Sequence, residues 1–275
     1  MFHFSQRRRA TGFTVTELLV VIVMLAVVLA IQIPTDAASR RTARRMQNST
    51  QLRGIHQGLV IFGQSNKFFY AGVDSRGNIL ANADNTTGDS GDGDTVQARY
   101  WILLRGDFFT PEYAISPSET SNLTEYDPGF AVVPDEVFWD QDVKNYSYAM
   151  LGINGLPGQA PESAGRGGEW KETANTQATV LTDRNTGHNA TNRVQSIHTS
   201  DEGDWKGSLV WNDNHSGFEQ SHIHDTKYGN GALNVDDFGS PADNLFAQDT
   251  VGENQAGMDA LMIISGDTTV QIGEW

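Results

Sequence analysis

The chain has 275 residues, no cysteine and a formal net charge of −15, with 28 glycines and 38% hydrophobic residues. The lack of cysteine excludes disulfides, thiol catalysis and Cys-ligated zinc. Residues 1–53 hold eight basic and two acidic side chains, whereas the remainder has a net charge of −21, so we expect no nucleic-acid partner, because neutralising phosphates requires Lys and Arg.

The N-terminal region combines a basic start with a long apolar run. Three consecutive arginines, residues 7–9, precede an uninterrupted run of 14 apolar residues over 18–31. Counted over 13–33, the segment has 21 residues, or about 31 Å of helix, close to a hydrocarbon core of about 30 Å. We therefore predict a transmembrane helix over 13–34 and a single-pass inner-membrane location, with a cytoplasmic N-terminus and an exported remainder that is periplasmic or extracellular.

Glu17 is the anomaly of this segment, because a carboxylate at the apolar end of a membrane helix needs a partner. A cut between Gly12 and Phe13 would create an α-amino group four residues before Glu17. The amine of an adjacent copy would then be available to pair with that carboxylate. Gly12 is also small enough for a protease to approach closely. The pattern therefore predicts a processing site at Gly12 and Phe13.

This combination resembles the type IV pilin and type II secretion pseudopilin family, which has a short basic leader, Gly at the cut, Phe at the new N-terminus and Glu as the fifth residue after the cut. Pro34, residue 22 of the mature chain, is similar to the proline that often kinks the helix in this family. The resemblance implies a leader peptide over 1–12, cleavage after Gly12 and methylation of Phe13 by a prepilin peptidase. It also implies that Glu17 registers one subunit against the next.

The partners implied by the resemblance are the prepilin peptidase, other pilin or pseudopilin subunits, an inner-membrane assembly platform and membrane lipid. Two alternatives stay open for the same segment. One is an ordinary secretory signal peptide with its basic and apolar regions. The other is an uncleaved anchor, which explains the apolar run but not Glu17.

After Pro34 the pattern becomes amphipathic, and we predict that residues 35–66 continue one long N-terminal helix. Apolar side chains recur there at helical spacing in one stripe that should pack on a sheet, formed by Leu52, Ile55, Leu59 and Phe62. Gly54 and Gly58 lie within the same stretch, where they weaken the helix or allow another segment to approach its backbone closely.

A basic cluster precedes the stripe and consists of Arg40, Arg41, Arg44 and Arg45. Three interpretations stay open for it. The arginines contact lipid phosphates, or they contact the acidic domains of neighbouring subunits, or they form a solvated helix face.

Residues 67–275 are predicted to form an acidic, β-rich globular domain. A short helix is expected over 96–105. Runs of β-branched and aromatic residues predict strands over 143–150, 178–182, 208–211, 216–218, 260–264 and 269–272. Because the strands do not alternate with helices, we predict an α+β fold of the pilin type, in which the long N-terminal helix packs on an antiparallel sheet with long loops.

A looser resemblance extends into the second half of the chain. The segment 51–70 looks like the helix end of the prepilin-like proteins abundant in planctomycetes and their relatives. Those proteins carry a His-x-Asp-Gly signature, and a degenerate version of it follows here in order, formed by Asp183, His198, Asp213 and His215. Asn214 stands where the group usually has Gly.

Two groups of side chains are candidate metal ligands. The Gly-rich loop 82–95 contains Asp84, Asp89, Asp92 and Asp94, and its oxygens suit Ca²⁺ although the spacing is not that of an EF-hand. The second group is formed by His198, Asp213, His215, His222 and His224, a set that suits Zn²⁺. The alternatives are a loop without a metal ion and loop histidines bonded to the backbone, so we expect no resident cofactor.

The main functional hypothesis is therefore a non-enzymatic, pilin-like subunit that assembles into a type IV pilus or a type II secretion pseudopilus. The rival hypothesis is a membrane-anchored exported domain that binds a ligand or hydrolyses a polymer with its His- and Trp-rich C-terminal half. No nucleophile-elbow motif of the G-x-S-x-G type supports that rival.

Overall fold

The structure is a computed structural model that describes residues 12–81, 93–119, 146–153, 166–186, 194–199, 203–228, 243–246 and 261–264. The chain divides into two compact units, residues 1–44 and residues 45–275, which we call the N-terminal unit and the core unit. Two α-helices are present in the described ranges, α1 (Val15–Ser65) and α2 (Val96–Arg105), together with two 3-10 helices, Pro111–Ala114 and Arg166–Glu169. The described strands are β1 (Tyr148–Leu151), β2 (Thr179–Asp183), β3 (Gly207–Trp211), β4 (Ser216–Glu219), β5 (Ile223–His224), β6 (Asp243–Asn244) and β7 (Met262–Ile263).

Five of these strands form one antiparallel sheet in the order β4-β3-β2-β1-β7. The strands β5 and β6 pair separately. The central strand β2 is buried along its whole length, as expected for a strand covered on both faces. An antiparallel sheet combined with a few helices confirms the predicted α+β class.

The element predictions agree with the structure where the pattern is strong. The predicted helix 96–105 coincides with α2, whose N-cap Thr95 accepts a hydrogen bond from the backbone N–H of Ala98. The predicted strands 178–182, 208–211 and 216–218 correspond to β2, β3 and β4. The predicted strand 143–150 overlaps β1 at its end, and the predicted strand 260–264 contains β7. The range 269–272 lies outside the described residues.

Within the core unit, α1 contributes its apolar stripe to the hydrophobic core. Leu52, Ile55 and Leu59 are fully buried and Phe62, the fourth residue of the predicted stripe, is half-buried against the core. Gly54 is needed in the same turn because a Cβ there would lie 2.6 Å from the ring of Tyr113.

A buried arginine joins the segment before α2 to the sheet. The guanidinium of Arg99 donates to the backbone carbonyls of Gly93, Asp94 and Leu151 at 2.6 to 3.0 Å, and it stacks over the ring of Trp170. Three carbonyl acceptors satisfy a cation that burial would otherwise destabilise. The core thus depends on polar contacts between distant segments as well as on apolar burial.

The predicted single-pass inner-membrane location is wrong. Among the described residues, no helix combines the length and the apolar character that crossing a bilayer requires. The uninterrupted apolar run of 14 residues covers about 21 Å of helix, which is shorter than a hydrocarbon core of about 30 Å.

Candidate functional site

The bond between Gly12 and Phe13 lies in a short non-helical stretch directly before α1. Both residues are exposed, and the side chain of Phe13 is 74% accessible. A Cβ built on Gly12 would meet no atom within 4 Å. A protease would therefore find the backbone open on the side of Gly12. Residues 1–11, which carry the three arginines of the predicted leader, lie outside the described ranges.

Glu17 has a partner within its own chain. Its carboxylate accepts hydrogen bonds from the backbone N–H of Thr14 at 2.8 Å and from the Thr14 hydroxyl at 2.7 Å. In return, the Glu17 N–H donates to the Thr14 hydroxyl oxygen at 3.2 Å. This is a capping box, in which Thr14 is the N-cap of α1 and Glu17 its third residue.

The capping contacts stabilise the charged form of Glu17. The backbone N–H of Thr14, followed by its hydroxyl, lowers the pKa of Glu17 below the usual value. The signal for this arrangement was present in the sequence, since Thr and Glu three residues apart before an apolar run mark a helix start. Sequence reasoning missed the capping box because it considered only an amine as the partner of the Glu17 carboxylate.

The apolar residues that follow Glu17 are exposed in the part of the chain that the structure describes. Every large apolar side chain from Leu18 to Leu29 is between 43% and 64% exposed. These residues point in all directions around α1 because they are consecutive. A helix that is apolar on all sides is normally enclosed by other apolar groups. The segment 18–29, which we call the apolar segment, instead exposes apolar side chains on all sides of the helix. Pro34 lies within α1, but its side chain is outside the described positions.

The candidate histidines and aspartates are divided among separate places in the core unit. Inside the protein, His198 Nε2 lies 2.9 Å from a carboxylate oxygen of Asp183, and the His198 side chain is almost fully buried. At the turn between β3 and β4, His215 Nδ1 bonds to the carboxylate of Asp213, and its ring stacks on Trp211 with 4.0 Å between the ring centroids. The stacked, carboxylate-bound His215 is exposed.

The remaining histidine pair flanks Ile223 in β5. A ring nitrogen of His224 bonds to the backbone carbonyl of Ser221. Burial, with the charge of His224 as a smaller cause, lowers the pKa of His222. Of the candidate histidines, His224 is thus held by a backbone carbonyl, and His198 and His215 are held by carboxylates.

Asp94 is the one candidate of the acidic loop that falls within the described ranges. It is buried, and its backbone carbonyl accepts from Arg99 at 2.6 Å. Asp84, Asp89 and Asp92 lie outside those ranges. Within the part of the chain that the structure describes, no three His, Asp or Glu side chains come together in a group that would hold a metal ion.

A buried polar network attaches α1 to the sheet. The Asn48 side-chain amide donates to the two carboxylate oxygens of Asp183 at 2.7 and 2.9 Å. The same carboxylate accepts from the backbone N–H of Ser208 at 2.6 Å. The side-chain oxygen of Asn48 accepts from the hydroxyl of Ser116 at 2.5 Å and lies 2.9 Å from the hydroxyl of Tyr148. No sequence signal identified Asn48.

A second polar contact joins α1 to the turn between β3 and β4. His56 Nδ1 lies 3.2 Å from the side-chain oxygen of Asn214, and burial lowers the pKa of His56 to about 4. Asn214 has a φ of +67°, a left-handed conformation that Gly and Asn adopt most readily. This conformation explains why Asn is accepted at the position where the resemblance expects Gly.

The tryptophans in the described ranges serve mainly in the core. Trp170 and Trp205 are buried, and the indole N–H of Trp170 donates to the carbonyl of Ala71 at 2.9 Å. Trp101 is half-buried beneath the guanidinium of Arg105. These contacts bury the rings of Trp170 and Trp205 and place a cation over the ring of Trp101.

Comparison with known proteins returned no matching family model, no matching curated protein and no matching solved structure.

Proposed function

We propose that this protein is a pilin-like or pseudopilin subunit that is cut after Gly12 and then assembles with other copies through the N-terminal part of α1. The observation that carries the proposal is the exposure of the apolar segment, residues 18–29, on all sides of the helix. Burying one Val, Leu, Ile or Met side chain stabilises an association by about 1.5 to 3 kcal/mol. Neighbouring copies of the same segment supply the matching apolar surface.

The position of the cut supports the same proposal. Removal of residues 1–12 takes away three arginines and leaves a new amine at Phe13, directly before the exposed start of α1. The mature chain then begins with an apolar helix whose only acidic residue before Asp36 is Glu17. A carboxylate kept in its charged form by Thr14 is a suitable partner for the Phe13 amine of a neighbouring copy.

The rival proposal of a ligand-binding or hydrolytic domain has weaker support. The described tryptophans contribute mostly to the core, and His198 is bonded to Asp183 inside the protein. The group formed by the exposed His215 with the half-buried Asp213 and Trp211 is the feature that would favour a ligand, but the ring of Trp211 is already stacked on His215. Assembly explains the apolar segment, and ligand binding does not.

The test is to place charges in the apolar segment and to measure assembly. The double substitution Ile22→Asp with Leu25→Asp alters two exposed side chains without touching the core unit. The matched control is Met46→Asp with Ile61→Asp, which makes the same chemical change at two exposed positions elsewhere on α1. We expect the fraction of processed protein that sediments as assemblies to fall about a hundredfold in the first variant and less than twofold in the control. Equal sedimentation of the two variants would contradict the proposal.

A further inference from the structure

A basic face of α1 has no ion-pair partner among the residues that the structure describes. Arg40, Arg41 and Arg44 are all exposed, and in the described part of the chain none of them forms an ion pair. Residues separated by three or four positions lie on one side of a helix, so these three guanidinium groups share a face. Arg45, the next residue, instead stacks over the ring of Phe218 at 4.3 Å.

Helix energetics do not account for this face. Basic residues stabilise a helix when they lie in its last turn, but α1 ends at Ser65 and has no basic residue in its last turn. Like charges at neighbouring positions on one face repel each other and destabilise the helix. Three exposed arginines on one face in the middle of α1 therefore destabilise it slightly, and a counter-charge from outside this segment would relieve their repulsion.

The rest of the chain has the opposite charge. Residues 37–73 contain no acidic side chain, whereas residues 74–275 hold 32 acidic and 10 basic ones, a net charge of −22. Three of those ten basic side chains, Arg99, Arg166 and Arg184, are buried. The described carboxylates include four exposed residues, namely Asp107, Glu112, Glu172 and Asp225. The core unit thus has a strongly negative net charge, and its described surface includes exposed carboxylates.

We infer that Arg40, Arg41 and Arg44 bind the acidic surface of the core unit of a second copy of this chain. The inference deepens the proposed function and rests on it, because it adds an electrostatic contact to the apolar one. The apolar segment does not determine how far neighbouring copies are shifted along each other, since it is apolar on every side. A charged contact at a fixed distance along α1 would set how far one copy is shifted relative to the next, as complementary charges fix register in other interfaces.

The first test compares full-length charge variants. The first variant combines Arg40→Glu, Arg41→Glu and Arg44→Glu. The control combines Lys67→Glu, Arg76→Glu and Arg105→Glu, which makes the same change in net charge at three other exposed positions. We expect the assembled fraction at low salt to fall about tenfold in the first variant, the combined effect of three exposed ion pairs, and less than twofold in the control. High salt should reduce assembly of the unaltered chain and should partly restore assembly of the first variant, because it screens the attraction in one and the repulsion in the other.

The second test locates the contact. The charge-preserving variant Arg41→Lys with Arg44→Lys provides amines that a carbodiimide joins to carboxylates in direct contact. When ¹⁴N- and ¹⁵N-labelled copies are mixed before coupling, mass spectrometry should find mixed-isotope peptides that link residues 40–45 to an acidic segment of 74–275. The same link found only within single-isotope peptides would overturn the inference. The inference would also be overturned if the chain gave no mixed-isotope link and instead sedimented with anionic vesicles.

The outcomes separate this inference from the proposed function. If charges in the apolar segment block assembly while charge reversal of the arginines does not, the function holds and the arginine contact is rejected. If charges in the apolar segment have no effect, the proposed function is rejected whatever the arginine variants do.

Discussion

Asn48 in α1 and Asp183 at the end of β2 are 135 residues apart, and the amide of the first donates to both carboxylate oxygens of the second. Both residues are fully buried. The carboxylate also accepts from the Ser208 N–H and from His198 Nε2, so its charge is compensated by donors from three separate segments. This contact fixes the part of α1 that belongs to the core unit.

Removing the Asn48 amide should destabilise the core unit strongly. We expect Asn48→Ala to lower the free energy of unfolding by about 3 kcal/mol, because the substitution leaves the Asp183 carboxylate and the Ser116 hydroxyl short of a partner in a buried place. Urea unfolding measures the loss. Thr50→Ala is the control, since Thr50 is exposed on the same helix and its loss should cost less than about 0.5 kcal/mol.

Acid should destabilise the protein through His56. Burial lowers its folded-state pKa from 6.5 to about 4, so between these two values the unfolded chain binds more protons than the folded one, and stability falls as pH decreases. The contribution of His56 to the free energy of unfolding is fully present above about pH 6.5. About 3 kcal/mol of it is lost as the pH falls from 7 to 4.

The measurement for His56 is urea unfolding at several pH values, compared between the unaltered chain and His56→Gln. Because carboxylates titrate in both proteins, the difference between the two curves isolates the histidine. We expect that difference to change by about 3 kcal/mol between pH 7 and pH 4. Parallel curves would contradict a buried neutral His56.

Gly72 and Gly93 approach each other so closely that neither tolerates a side chain. A Cβ on Gly72 would lie 2.0 Å from the carbonyl oxygen of Gly93, and the φ of Gly72 is +94°. Gly203 has a similar φ of +83° but no atom within 4 Å of the added Cβ. Gly203→Ala should therefore cost only the backbone strain of about 1 to 2 kcal/mol. Gly72→Ala should cost clearly more in thermal unfolding, and equal losses would contradict the close approach.

The roles of Thr14 and Glu17 can be separated by two single substitutions. Glu17→Gln keeps an oxygen that caps α1, since Glu and Gln both complete a capping box, but it removes the charge. Thr14→Ala keeps the charge and removes the hydroxyl that bonds it. If Glu17 pairs with the amine of a neighbouring copy, Glu17→Gln should reduce the assembled fraction at least about tenfold, as expected for one charge-assisted hydrogen bond.

In the same sedimentation assay, Thr14→Ala should assemble nearly as well as the unaltered chain. An equal loss in both variants would assign Glu17 to helix capping alone. Circular dichroism of the two variants provides the control for helix content, which should fall more in Thr14→Ala than in Glu17→Gln.

Local patterns predicted the regular elements, because helix and strand periodicity depend on neighbours in the sequence. The helix 96–105 and the strands β2, β3 and β4 were found in this way. The two-residue strands β5 and β6 are too short to produce a periodic pattern. The contact of Asn48 with Asp183 and that of His56 with Asn214 join residues more than a hundred positions apart. No local signal predicts such contacts, since they depend on how α1 lies against the sheet within the core unit.

The candidate site, too, could be predicted from the sequence only in part. The cut at Gly12 was predicted from the residue types around it and from the family resemblance, and a partner for Glu17 was predicted from its place at the end of an apolar run. The open surroundings of Gly12 were seen only in the structure. The membrane prediction went wrong because it counted polar residues at both ends of the apolar run as part of a span. The candidate metal ligands around the histidines were grouped by their distance in the sequence, and the structure separates them. His198 lies inside the protein, whereas His215 lies on an exposed turn.

The central claim is that assembly uses the chain cut after Gly12. The most direct measurement is the mass of the polypeptide in assemblies sedimented from cells that contain a prepilin peptidase. We predict a single species that begins at Phe13 and carries one methyl group on its amine. Assemblies built from a chain that begins at Met1, or from one cut at any other bond, would contradict the account.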